Sequence, residues 1–190
     1  MKKLLLLIGF GLTGLVINGR AATFDFDLRG VAGIGLIPGN EPGVLTGGTG
    51  GEIGAGIFFD DATLNLTINV GWGSSQGFTD LSSAANNSHI HGPTAANFGL
   101  NFTQTAGVLF NLTRSSNLPT GGTIGQSFTL TPTQQADLFN GKYYLNIHTV
   151  NNSGGELRGF LVPVPEPSAL ALMALGLSGL VIWRARCRVV

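Results

Sequence analysis

The chain has three histidines, confined to two short motifs, Ser88-His89-Ile90-His91-Gly92-Pro93 and Asn146-Ile147-His148-Thr149. Side chains on an extended strand alternate between faces, so His89 and His91 project to one side. A third imidazole from His148 would complete a three-His set suited to copper or zinc, with a fourth position open. The same residues also admit a structural role, as hydrogen-bond partners of neighbouring loops. Other reactive patterns are weaker. Gly73-Ser74-Ser75-Gln76-Gly77 has the spacing of a nucleophile elbow, but no strand-turn-helix of an α/β sheet surrounds it.

The elements that would hold these imidazoles are strands. Phe24, Phe26 and Leu28 alternate with Asp25 and Asp27, and Leu64, Leu66, Ile68 and Val70 alternate with Asn65, Thr67 and Asn69. Each stretch predicts a strand with one wet face. Ile57 to Val70 predicts a hairpin about Asp60-Asp61-Ala62, and 100–112 predicts one or two further strands. The Gly-rich stretches 47–56 and 121–122 predict loops or bulges. The clearest hairpin joins 142–150 to 156–162 through Asn151-Asn152-Ser153-Gly154-Gly155. If Val150 pairs with Glu156, His148 faces Arg158, whose charge would keep the imidazole neutral, as a metal requires. Glu156 and Arg158 flank Leu157 on one face and read as a structural ion pair. Thr131 as N-cap, Pro132 as first residue, Gln134 as the third position of a capping box and Gly141 as the stop predict one helix over 132–139.

Composition narrows the function classes. Of 190 residues, 11% are charged, against about 25% in an average soluble protein. A hydrophobic share of 43% argues against disorder, and a single cysteine, Cys187, excludes a disulfide scaffold. The balanced charge hides a partition. Residues 22–165 hold four basic and nine acidic side chains, a net −5, so nucleic acid is not expected as a partner.

Both ends read as addresses. Lys2 and Lys3 precede an apolar run, Leu4 to Ile17, then Gly19-Arg20-Ala21, the layout of a secretory signal peptide over 1–21. At the other end Pro165-Glu166-Pro167 precedes an apolar stretch, expected as a transmembrane helix over about 168–183. Arg184, Arg186 and Arg188 follow within a basic tail, 184–190. This three-part order over 164–190 resembles the PEP-CTERM sorting signal. The resemblance implies a Gram-negative exporter and an exosortase-type processing protease. It also implies a precursor anchored in the inner membrane and release to the cell surface or outside, in company with matrix polysaccharide.

The His motifs carry a second resemblance. His89-Ile90-His91-Gly92-Pro93 is followed by Gly141-Lys142-Tyr143-Tyr144-Leu145-Asn146-Ile147-His148-Thr149 and then by Gly154-Gly155-Glu156-Leu157-Arg158-Gly159. Together they resemble the CHRD domain over about 24–162, within a domain set at 22–163. Gly92, Pro93, Gly155, Glu156, Arg158 and Gly159 are its structural motif residues. The family's opening Pro-rich run is represented only by Pro38-Gly39-Asn40-Glu41-Pro42. The resemblance implies an all-β fold: an immunoglobulin-like or superoxide-dismutase-like antiparallel Greek-key sandwich or barrel. It implies no established catalytic activity. Three histidines are too few for a dinuclear dismutase site, though enough for a mononuclear one. Two readings follow: a non-enzymatic surface or matrix protein that binds polysaccharide or surface proteins, and a copper or zinc metalloprotein on His89, His91 and His148.

Overall fold

The computed structural model describes residues 22–95, 97, 102–165 and 178. The expected signal peptide lies outside them, as does the expected membrane helix apart from Ser178. Among the described residues no helix is long and apolar enough to cross a membrane.

Among the described residues nine strands form one antiparallel sheet: β1 (Thr23–Gly30), β2 (Gly33–Ile34), β3 (Gly50–Asp60), β4 (Asn65–Trp72), β5 (Ala85–His91), β6 (Val108–Asn111), β7 (Gly122–Thr129), β8 (Tyr144–Thr149) and β9 (Leu157–Pro163). Their order is β6-β5-β8-β9-β1-β3-β4-β7, with the short β2 beside β1. The sheet curls until its ends approach. Phe110 of β6 stacks on Phe128 of β7 at 4.4 Å, and the Ser115 amide donates to the Thr123 carbonyl at 2.9 Å.

The curl encloses the core. Phe26 and Leu28 of β1, Leu66, Ile68, Val70 and Trp72 of β4, Ile90 of β5, and Leu145 and Ile147 of β8 are all buried in it. Period-two alternation produces this, since the intervening Asn and Thr of β4 face outward less deeply buried. The helix α1 (Pro132–Phe139) covers one opening. Its capping box is complete, with the Gln134 amide donating to Thr131 Oγ1 and the Thr131 amide donating to Gln134 Oε1. Gly141 follows at φ 62°, and Phe139 packs edge-on against Phe24 and Phe59.

The stretch 47–56, expected as a loop or bulge, holds an irregularity inside a strand: β3 begins at Gly50 and pairs with β4, with a register break between Glu52 and Ile57. Glycines hide a strand there because they interrupt the alternation that marks one. β8 and β9 also have a face that turns away from the core. It is buried as well: Tyr144, Phe160 and Val162 form a second apolar cluster with Phe102 and Ala106 of the loop after β5. This outer layer holds the histidines.

Candidate metal centre

The register of three strands fixes the site. His89 of β5 lies opposite Asn146 of β8, and His91 opposite Tyr144. Asn146 in turn lies opposite Arg158 of β9, and Tyr144 opposite Phe160. By alternation, His89, His91, Tyr144, Asn146, His148 and Arg158 share the outer face, while Ile90, Leu145 and Ile147 enter the core. β5 ends at Gly92, which has φ 152° and precedes a cis peptide bond to Pro93. A side chain there would collide with the Tyr143 ring.

The three imidazoles converge as the two motifs predict. One nitrogen of each lies within 4.8 Å of the others. His89 Nδ1 and His148 Nε2 are 3.0 Å apart. The far nitrogens are tied to loops. His148 Nδ1 donates to the Ser153 carbonyl at 2.7 Å, and His91 Nδ1 to the Ala106 carbonyl at 2.9 Å. A carbonyl can only accept, so these partners assign the tautomers and leave Nε2 of both rings with a bare lone pair. His91 Nε2 is buried and has no hydrogen-bond partner among the described residues. The expected hydrogen bonds to neighbouring loops are thus present for two of the rings: in His91 and His148 one nitrogen is anchored and the other faces the cluster. Carbonyl-anchored imidazoles are the usual support of metal ligands.

Electrostatics favour the neutral form of His89 and His91. Burial, then the neighbouring His148, His91 and Arg114, hold His89 down to about 4. Burial also lowers His91; the Ala106 carbonyl opposes this, and His148 and Arg158 add to it.

Arg158 does not sit where the sequence places it. The expected pairing of Val150 with Glu156 would set it opposite His148; the hairpin instead pairs Ile147 with Leu157 and Asn146 with Arg158. The turn takes up the end of β8: the Thr149 and Gly155 amides donate to the Asn152 carbonyl and the Glu156 amide to the Ile147 carbonyl, so β9 pairing begins only at Leu157. Arg158 is fully buried, its guanidinium 3.7 Å above the centre of the Tyr144 ring. That ring also stacks flat on His91 at 4.8 Å.

The expected Glu156–Arg158 ion pair is likewise replaced. Arg158 Nη1 lies 3.8 Å from Glu41 Oε1, and its Nη2 donates to the Gln104 carbonyl. Glu156 precedes β9 and turns the other way. It accepts from the amides of Gly48 and Ser82 at 2.8 Å each, from Thr149 Oγ1 at 2.8 Å, from Asn152 Nδ2 at 3.2 Å and from Ser82 Oγ. Burial pushes its carboxyl up, but these hydrogen bonds outweigh it and hold Glu156 below the usual carboxylate value. Five donors from three chain segments identify Glu156 as a loop clasp. Gly155, at φ 133°, and Gly159 are glycines for space: a methyl group would come within 2.9 Å of Glu41 Oε2 at the first and of the Gly35 carbonyl at the second.

Sequence reasoning did not single out Asn146 and Glu41 as residues of the site. Asn146 was within reach, being two residues before His148 and so on its face. Glu41 comes from a distant loop and carries no local signal. The Gly73–Gly77 segment forms a short 3-10 turn after β4, which gives no nucleophile elbow.

The CHRD domain family model matches residues 35–161. A PEP-CTERM protein-sorting motif matches residues 163–186. No curated protein and no solved structure matches the chain. The chain thus belongs to the CHRD domain family and carries a PEP-CTERM signal, which implies a membrane-anchored precursor, processing by an exosortase and export to the cell surface. The family match starts after β1, yet β1 lies between β9 and β3 in the sheet, so the folded unit extends beyond the matched residues.

Proposed function

We propose that this exported CHRD domain holds one copper or zinc ion on His89, His91 and His148, as a metal-binding surface protein rather than an enzyme. The observation that carries this reading is an excess of acceptors. His91 Nε2 and His148 Nε2 both present lone pairs to one small space, and among the described residues the His89 Nδ1 proton meets the second and none meets the first. Buried acceptors need donors or a cation, and one ion answers all of them. Bound copper would supply one-electron chemistry, and bound zinc a Lewis acid. The strand order, with β9 returning between β8 and β1, supports the immunoglobulin-like or superoxide-dismutase-like Greek key as the fold label.

A matrix role is the second reading, favoured by the sorting signal. In it the net −5 domain associates with matrix polysaccharide or surface proteins, and the metal centre is a stabilising or storage element.

The test is metal content. The full chain, purified in detergent without an affinity tag of histidines, is exposed to Cu²⁺ or Zn²⁺, desalted and analysed by elemental mass spectrometry. About one ion per chain is expected, lost in His89→Ala and in His148→Ala. A folded wild-type chain that retains no metal would refute the reading.

A further inference from the structure

Asn146 stands at the centre of the site's face. It lies directly across from His89 on one side and Arg158 on the other, with Tyr144 and His148 two residues away along its own strand. It is 2% exposed. Its amide nitrogen is directed at the turn: Nδ2 lies 3.5 Å from the Gly154 carbonyl. A methyl group on Gly155 would come within 3.0 Å of Nδ2 and 2.9 Å of Glu41 Oε2, so the amide nitrogen and the Glu41 carboxylate share one corner. A carbonyl and a carboxylate on that side admit only the nitrogen. The flipped amide would gather three acceptors together.

Asn146 Oδ1 therefore looks the other way, toward the imidazoles. It is buried and has no hydrogen-bond partner among the described residues. Asn146 lies close enough to His91 to influence that ring's protonation. Yet His91 has given its proton to the Ala106 carbonyl. Two buried lone pairs, one oxygen and one nitrogen, thus adjoin with no proton of their own to share. The Glu41 carboxylate beside the amide nitrogen favours this orientation.

Resting on the metal reading above, we propose that Asn146 Oδ1 is a fourth protein ligand, which closes the inner face of the centre and leaves only its outer side to an exogenous ligand. A set of three imidazole nitrogens and one amide oxygen suits a divalent ion, Zn²⁺ or Cu²⁺, over Cu⁺, which prefers softer donors. In this arrangement Gly155, Glu41 and Arg158 are positioning residues that aim the amide.

The test uses the full chain loaded with Cu²⁺, with Asn146→Ala and the nearly isosteric Asn146→Asp. Electron paramagnetic resonance and competition titration are read on each, with circular dichroism as the folding control. The expectation for Asn146→Ala is one ion retained on the three imidazoles, an affinity at least about 10-fold weaker and altered copper hyperfine splitting. Asn146→Asp should bind more tightly and also alter the spectrum, because a carboxylate oxygen replaces the amide oxygen. If the wild-type chain binds copper and both variants give its spectrum and affinity, the fourth-ligand proposal fails while the three-His reading stands. If the folded wild-type chain binds no copper, both fail. Should Asn146→Ala not fold, Asn146→Asp decides: an unchanged spectrum overturns the proposal. A merely structural Asn146 would change the melting temperature without moving the copper signal.

Discussion

His89 Nδ1 and His148 Nε2 lie 3.0 Å apart, although their residues are 59 positions apart in the chain. Because His148 donates its Nδ1 proton to Ser153, the metal-free pair is joined by the single proton of His89. The contact ties β5 to the turn after β8, and it gives the metal-free chain a measurable signature.

That signature is a titration. In metal-free protein, the His89 ring should titrate near pH 4 by NMR, where an ordinary imidazole titrates near 6.5. The sign follows from linkage. Between about pH 6.5 and pH 4 the unfolded chain takes up a proton that the folded chain refuses, so stability falls as pH falls through this window and levels off below it. In His148→Ala the midpoint should move upward, since a neighbouring imidazole is removed. A His89 midpoint at 6.5 in the wild type would contradict the packed arrangement of the rings.

Glu156 should be the most sensitive acidic residue. Glu156→Gln puts an amide against donors that the carboxylate satisfies, and we expect a loss of about 2–3 kcal/mol in urea unfolding. Its carboxyl is held below the usual value in the fold. The associated stability is present above the unfolded carboxyl value and is lost as pH falls through the folded one. The variant should therefore show a shallower acid-induced loss than the wild type. An effect under about 0.5 kcal/mol, the range of an ordinary surface change, would remove Glu156 from its role as clasp.

Adjacent glycines make an internal control. Gly155 has φ 133°, and a methyl there would press on Glu41 and Asn146, whereas one on Gly154 meets nothing within 4 Å. Gly155→Ala should cost about 1–3 kcal/mol by thermal unfolding and weaken metal binding, while Gly154→Ala should stay within about 0.5 kcal/mol of the wild type. Equal behaviour of the two would count against the close approach at Gly155.

Export can be tested separately. With Pro165, Glu166 and Pro167 all changed to Ala, full-length precursor should accumulate in the inner-membrane fraction by immunoblot, where the wild type yields a shorter exported form. Unimpaired processing would show that the protease reads something else.

The parts of this molecule that local chemistry dictates were legible in its residues. The capping box placed α1 residue for residue, and strand parity put His89 and His91 on one face. Registry was not legible. Whether His148 or Asn146 opposes Arg158 depends on how many residues the turn takes up before β8 and β9 begin to pair, which its Asn, Ser and Gly residues do not specify. The burial of Arg158 and its partner Glu41 depends on loops folding over the outside of the sheet, and alternation within a strand says nothing of what covers its second face. The Glu156–Arg158 pairing failed for the same reason: proximity in sequence lost to donors brought from Ser82 and Gly48.

The end of β9 has a consequence for how the domain is displayed. β9 pairs with β1 up to Pro163, and the Val164 amide donates to the Asp25 carbonyl, so sheet structure persists to within two residues of Glu166. There is almost no tether between the folded body and the sorting motif. The start of β1 lies beside the end of β9, at the same end of the body. Arg158, at the level of Asn146 and His89, lies five residues up β9, about 17 Å from that end at 3.3 Å per residue. The histidine centre thus stands well up the flank of the domain from the end at which the sorting motif begins.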